Sequence, residues 1–345
     1  MNMGKKTLIL VVVVALAISG FYFVESNYYF FPSQNASFSP QLAGSTVYIE
    51  NGVSGVVTLK DPFLNKTVDI NVAYDPMDSG SGVIVTKDGY IVTAFHVVSD
   101  PNALDQQNTL RKMDSNDVNQ YVKEAAVKEY LSQGNPQLGT KLLGGNSGSA
   151  TYSYGTNQVN AITESLSQNN LLTVKSSQQV IKVKFPASAN VGNSLNANLV
   201  DVGNPGTDDD VAILKVDSIN KNLPALSVSS QKPRIGENIL IYGYPGNTNE
   251  NYQEAQSIMP KSASGSLTAQ TSSSGTVYYK TNAPTAEGYS GGPVVNTKSS
   301  VLGILIYGST SSQQFRQSGT ESGIFLSSNY IIQICKENNV PIQIV

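Results

Sequence analysis

The sequence predicts a mainly β protein whose short strands are of the kind that close into barrels, and three observations carry that expectation. The 345 residues are 40% apolar but only 14% charged, with 29 Gly and 18 Tyr, a balance that favours short strands and polar loops over long helices. From Ser45 onward, Val/Ile/Tyr-rich runs recur between Gly, Asn, Asp and Pro: STVYIENGVSGVVTLKD, GSGVIVTKDGYIVTAFHVV, QVIKVKF, DVAILKV, ENILIYGYPG, TVYYKTN, GGPVVN and SVLGILIYG. Turn chemistry separates them, as in Lys87-Asp88-Gly89-Tyr90, where Asp-Gly tolerates the positive φ of a tight hairpin. Many short strands over such a length suggest barrels.

The chain divides in order. Residues 7–24, TLILVVVVALAISGFYFV, are uncharged and mostly apolar, with Lys5 and Lys6 before them and Glu25 after. As a helix this run reaches about 27 Å, enough for the bilayer hydrocarbon. The preceding lysines place residues 1–6 in the cytoplasm and the remainder outside, so the expectation is a single-pass membrane protein anchored through residues 7–24. The alternative is a cleaved signal ending near Ala15-Leu16-Ala17 and a secreted product, although Phe21, Tyr22 and Phe23 beyond it suit an interfacial belt. Residues 25–44, polar and aromatic with two prolines, read as a tether, and 45–345 as the folded domain. Asn35 and Asn65 lie in glycosylation sequons, which only permit modification.

An insertion of about 101–178 interrupts the strand pattern. Within it NDVNQYVKEAAVKEYLSQ has helical spacing, with Val118, Tyr121, Val122, Ala125 and Tyr130 near one face. The Gly/Ser-rich GTKLLGGNSGSATYSYGTNQ that follows reads as a mobile loop. A solvated elaboration and a substrate-gating lid both fit this insertion.

Composition removes several function classes. A net charge of −3 without a concentrated basic stretch beyond Lys5 and Lys6 gives no basis for nucleic-acid binding. The single cysteine, Cys335, cannot form an internal disulfide, and the single histidine, His96, cannot build an ordinary zinc site, so no metal or cofactor is expected. Cys335 lies in IIQICKENN, whose spacing suits a C-terminal helix with a buried structural thiol.

The strongest chemical signal is Gly288-Tyr289-Ser290-Gly291-Gly292-Pro293 between two β-like runs. A serine hydroxyl attacks well only when a base takes its proton and fixed donors receive the oxyanion, and flanking glycines let the backbone turn tightly enough to aim N–H groups there. Taken alone, the motif also fits a Gly-rich turn with an ordinary serine. His96, at the end of the run YIVTAFHVV, is the sole available imidazole base. The orienting carboxylate is sought in Asp208-Asp209-Asp210, ordinarily a solvated turn; Asp210 adjoins the strand Val211-Ala212-Ile213-Leu214 and is best placed for burial beside His96. The order His, Asp, Ser is one of the known orders of this triad.

TAFHVV, DDDVAILKV, PRIGENILIYGYPG, YYKTNAPTAEGYSGGPVVN and VLGILIYG, in this sequence, resemble the trypsin-like serine proteases, most nearly the HtrA/Deg-like group, over roughly residues 78–100 and 180–335. The resemblance implies two six-stranded antiparallel barrels with the triad at their interface, and an oxyanion hole from the N–H groups of Gly288 and Ser290. It also implies a primary specificity pocket walled by Pro284, Tyr307, Gly308 and Gly323. Three positions depart from the family pattern. Tyr289 replaces a common Asp or Asn and is expected to alter the rim of the site. Phe95 stands where a small residue is common, and Ile306 stands where a hydroxyl often supports the triad aspartate. The chain ends at Val345, too early for the peptide-binding PDZ domain many such proteins carry.

The function expected is therefore a serine endopeptidase acting on exported or unfolded polypeptides, with Ser290 as nucleophile, His96 as base and Asp210 orienting it. An esterase would use the same triad, and a catalytically impaired, chaperone-like binding module would keep the same fold. The sequence does not specify an oligomeric state.

Overall fold

Two antiparallel hairpin systems organise the chain. The computed structural model describes residues 39–101, 110–143, 154–189, 191, 194–204, 207–216, 222–246, 259–306 and 322–345. Residues 1–6, the apolar run 7–24 and most of the expected tether lie outside this range. Among the described residues no helix is long and apolar enough to cross a membrane.

Strands β1 (Thr46–Asp61), β2 (Lys66–Ile84), β3 (Tyr90–Thr93), β4 (Leu172–Lys184), β5 (Leu195–Val202) and β6 (Ala212–Val216) close one barrel in the order β1-β2-β3-β6-β5-β4. Strands β7 (Asn238–Gly243), β8 (Lys261–Ser273), β9 (Thr276–Pro284), β10 (Pro293–Val295), β11 (Val301–Leu305) and β12 (Ser322–Ser327) close a second in the order β10-β11-β12-β9-β8-β7. The β-branched residues that mark the runs fill the interiors: Val47, Ile49, Val83, Ile91 and Ile213 in the first, Ile241 and Val294 in the second, all fully buried. Asp88-Gly89 forms the expected turn, with Gly89 at φ +104°.

The packed part of the chain begins at Ser39. Residues 40–44, counted with the tether in the sequence reading, form a short helix α1 (Pro40–Gly44) capped by the Ser39 hydroxyl. The reason is Leu42 and Ala43, which are buried in the first barrel's core.

β1 and β2 are longer than a barrel needs. Their pairing runs from Thr46↔Val83 out to Asp61↔Lys66, and β4 joins from Leu59↔Leu172, so three strands project as an extension sheet. One face of it, Val53, Val57, Leu59, Ile70, Val72 and Leu172, is buried under helices α2 (Ser115–Ser132), α3 (Pro136–Leu142) and α4 (Thr156–Gln168), forming a second apolar core. The inserted region thus supplies these helices, and its last residues, from Leu172, belong to β4. Helix α2 carries the expected face, with Val118, Val122, Ala125 and Tyr130 buried, and starts on a reciprocal Asp114/Asp117 capping box. The expected loop, 139–158, is helical at both ends: α3 covers 139–142, and α4 begins at Thr156 because Val159, Ile162, Thr163 and Leu166 repeat at helical spacing and are buried. Cys335 is buried in α5 (Ser328–Glu337), where burial pushes its thiol up to about 12.

The barrels meet through Tyr48 and Tyr244, packed edge to face at 5.6 Å; the Tyr244 hydroxyl donates to the Thr46 carbonyl at 3.1 Å.

Candidate active site

His96 sits on a 3-10 turn, Phe95–Val98, that follows β3 directly. The turn is tied down from the side chains of β1 and β4: Asn51 Nδ2 donates to the Ser99 carbonyl at 3.1 Å and Gln179 Nε2 to the Val98 carbonyl at 3.0 Å. Asp100, next along, is nearly fully buried and bonds to Arg111 and to the Tyr121 hydroxyl, at 2.6 Å to the latter, which fastens helix α2 to the histidine segment. Phe95 points into the first core, where a larger side chain than usual is accommodated.

Asp210 reaches His96 twice. Its Oδ1 accepts the backbone N–H of His96 at 2.9 Å, and its Oδ2 lies 2.8 Å from Nδ1. The first bond fixes the carboxylate relative to the turn; the second fixes the imidazole, leaving Nε2 as the basic nitrogen. Burial disfavours the imidazolium, but the Asp210 charge, its hydrogen bond and the Asp78 charge outweigh that, so the His96 pKa is raised above the ordinary value. Asp78, on β2, accepts the Ser79 N–H at 2.7 Å, and burial raises its own pKa against the pull of His96.

Ser290 lies in the loop between β9 and β10. Gly288 and Gly291 have φ of +90° and +81°, conformations that suit glycine. A Cβ on Gly291 would lie 2.2 Å from the Ser81 carbonyl, 2.3 Å from Thr93 Oγ1 and 2.8 Å from the Ala94 nitrogen, which shows how closely the serine loop abuts the segment leading to His96. The N–H and C=O of a trans peptide point in opposite directions. Gly246 N–H donates to the Glu287 carbonyl at 2.8 Å, and Gly292 N–H to the Tyr289 carbonyl at 2.9 Å. These bonds orient the two candidate oxyanion donors, the N–H groups of Gly288 and Ser290, away from those partners.

Ser81 fastens this loop from the first barrel. Its N–H donates to the Ser290 carbonyl at 2.7 Å, its hydroxyl donates to the Gly288 carbonyl at 2.7 Å, and the same hydroxyl accepts the Tyr244 N–H at 2.9 Å. Sequence reading missed this residue; the only cue was its place in the Gly-Ser-Gly run before Val83.

Tyr289 does not stand at the rim as expected. It is buried in the second core, its ring against Gly243, where any Cβ would meet it at 2.7 Å. Ile306 is buried and apolar. Of the residues expected to form the specificity pocket, Tyr307 and Gly308 lie outside the described residues. Pro284 is exposed at the end of β9, opposite Ser322, and Gly323 is buried. The open side of Gly323 faces Thr285 Oγ1, Leu305 Cδ1 and Thr281 Cγ2 at 3.0–3.2 Å from an ideal Cβ. Thr285 was not singled out from the sequence. It is 5% exposed, and its hydroxyl has no hydrogen-bond partner among the described residues.

Residues 166–304 match the family model of the trypsin-like peptidase domain. The matched span contains Asp210 and Ser290 and begins after His96. Among solved structures the chain is similar to the serine endoprotease from Yersinia pestis, at 18% identity and a TM-score of 0.44, over 86% of this chain and 64% of that one. No curated protein matches the chain.

Proposed function

We propose that the protein is a serine endopeptidase that hydrolyses peptide bonds of exported or unfolded polypeptides. The observation that carries this reading is the pair of hydrogen bonds between Asp210 and His96 beside a glycine-flanked serine loop. In the proposed reaction His96 Nε2 takes the Ser290 proton as Oγ attacks the peptide carbonyl, and Asp210 stabilises the resulting imidazolium. The tetrahedral oxyanion is received by the N–H groups of Gly288 and Ser290. Collapse expels the amine, which receives the proton from His96, and leaves an acyl-enzyme on Ser290; water activated by the same histidine then releases the acid.

The residue before the scissile bond is small or medium and apolar under this reading. Pro284 offers no charge at the position expected to floor the pocket, and an unpaired ammonium or guanidinium buried there costs several kcal/mol, whereas each buried methylene gains about 0.8 kcal/mol. Anchoring through residues 7–24, with the catalytic domain outside the cytoplasm, belongs to the same proposal. A fluorophosphonate probe on the purified protein tests the central claim. Labelling at Ser290, lost in Ser290→Ala and accompanied by casein cleavage, is the expected result; an unlabelled wild-type protein overturns it.

A further inference from the structure

The three consecutive aspartates before β6 have three different fates. Asp210 binds His96. Asp209 and Asp208 instead face the β8–β9 hairpin of the other barrel, where Thr276 Oγ1 bonds to the Asp209 carboxylate and the Thr207 carbonyl, and Ser273 Oγ donates to Asp208 Oδ2 at 3.0 Å. A third hydroxyl, that of Tyr278, donates to the Asp208 carbonyl. That carbonyl also accepts the backbone N–H of Asp210 at 2.8 Å, so the phenol holds the same oxygen that holds the acid's own peptide. Asp208 has φ +58°, in the left-handed region that Asp adopts more readily than most residues.

We propose that Tyr278, supported by Thr276 and Ser273, is a positioning residue for Asp210: the second barrel grips the turn 207–209 and so sets the carboxylate on His96. The inference rests on the reading of His96, Asp210 and Ser290 as a triad. The side chains are placed for it. Tyr278 is 2% and Thr276 1% exposed, so water does not compete for their bonds. Burial, then the charges of Asp210, Asp208 and Asp209, raise the Tyr278 pKa, and the phenol stays a proton donor throughout the working range.

His96 is the sole histidine, so its imidazole resonances titrate in NMR without ambiguity. The charged groups acting on it are Asp210 and Asp78, the latter in turn facing Glu287. Tyr278→Phe keeps the ring and removes only the hydroxyl. The expected result in the full chain is a His96 titration midpoint that falls toward the ordinary imidazole value. With it kcat/KM should fall about 10- to 100-fold, as about 1 Å of misplacement produces, with KM changed much less. Thr276→Val should move the midpoint in the same direction, and Thr276→Ser, which restores the hydroxyl, should return it; this pair decides the matter if Tyr278→Phe does not fold. An unchanged midpoint with kcat/KM within about twofold of wild type in both Tyr278→Phe and Thr276→Val overturns the proposal. The titration needs no turnover, so a protein whose Ser290 does not label but whose midpoint shifts would retain the positioning role and lose the peptidase reading.

Discussion

Ser81→Ala removes one oxygen and leaves two buried backbone groups, the Gly288 carbonyl and the Tyr244 N–H, without the partner they share. Ser81 is completely buried, so solvent does not replace it. An orphaned buried group costs about 1–3 kcal/mol; two of them, partly relaxed, give a destabilisation of about 2–4 kcal/mol. For a domain of this size that corresponds to a fall in Tm of roughly 3–6 °C. The same oxygen fixes the Gly288 residue whose N–H is a proposed oxyanion donor, and loss of one such donor costs about 100- to 1000-fold in kcat. Because Gly246 still holds the Glu287 carbonyl, the donor is loosened and not removed, and the expected loss is about 10- to 100-fold in kcat with KM nearly unchanged. Steady-state kinetics on a peptide amide, alongside calorimetry, measure both effects. A variant with kcat within about twofold of wild type and an unshifted Tm would refute the reasoning that Ser81 fastens the serine loop.

Ser290→Ala and His96→Ala should each abolish peptidase activity, about a millionfold in turnover. Asp210→Asn should lower it about ten-thousandfold through the wrong imidazole tautomer; single-turnover assays that found Asp208→Asn or Asp209→Asn more damaging would relocate the acid. Since Asp210 and Asp78 raise the His96 pKa and the base must be neutral, the acid limb of kcat/KM should lie above the ordinary imidazole value of about 6.5. The linked stability has the opposite sense. Protonated His96 contributes stability that is fully present below its unfolded pKa and lost as pH rises through the raised folded value, which urea titrations across that window would register. Lys184 and Glu50 form a mostly buried pair at 2.8 Å, so Lys184→Met alone should destabilise by about 3–5 kcal/mol, whereas adding Glu50→Leu should recover most of that loss.

The strands were legible because Val and Ile at alternating positions leave little else for those segments to be, and the Asp88-Gly89 turn announced itself. Helix α4 was equally legible in principle: Val159, Ile162, Thr163 and Leu166 hold the helical period, but the expected loop, 139–158, takes in only its first residues and the sequence reading assigns no element to the rest. The reach of β1 and β2 beyond the barrel was not legible. Apolar residues continue from Val53 to Leu59, and nothing local says that the face formed by Val53, Val57 and Leu59 meets helices instead of a barrel interior. Within the site, His96 and Asp210 stood out as a lone imidazole and an acid at a strand edge. Ser81 and Tyr278 did not, because each is an unremarked residue in a strand until its partner, 207 or 70 positions away, is known.

That separation has a consequence for the life history of the chain. The grip of Asp210 on His96 closes over 114 residues, and the bond of Ser81 to the serine loop over 207. Contacts of such range form only when nearly the whole polypeptide is present, since the ends of long loops must meet before any contact rewards them. Under the proposed reading, while the chain is being made its base exists long before its acid, and its acid before its nucleophile. Chemistry at Ser290 would then be a property of the finished fold, and a nascent chain would carry three inert side chains in place of a cutting edge that could turn on itself or on its neighbours.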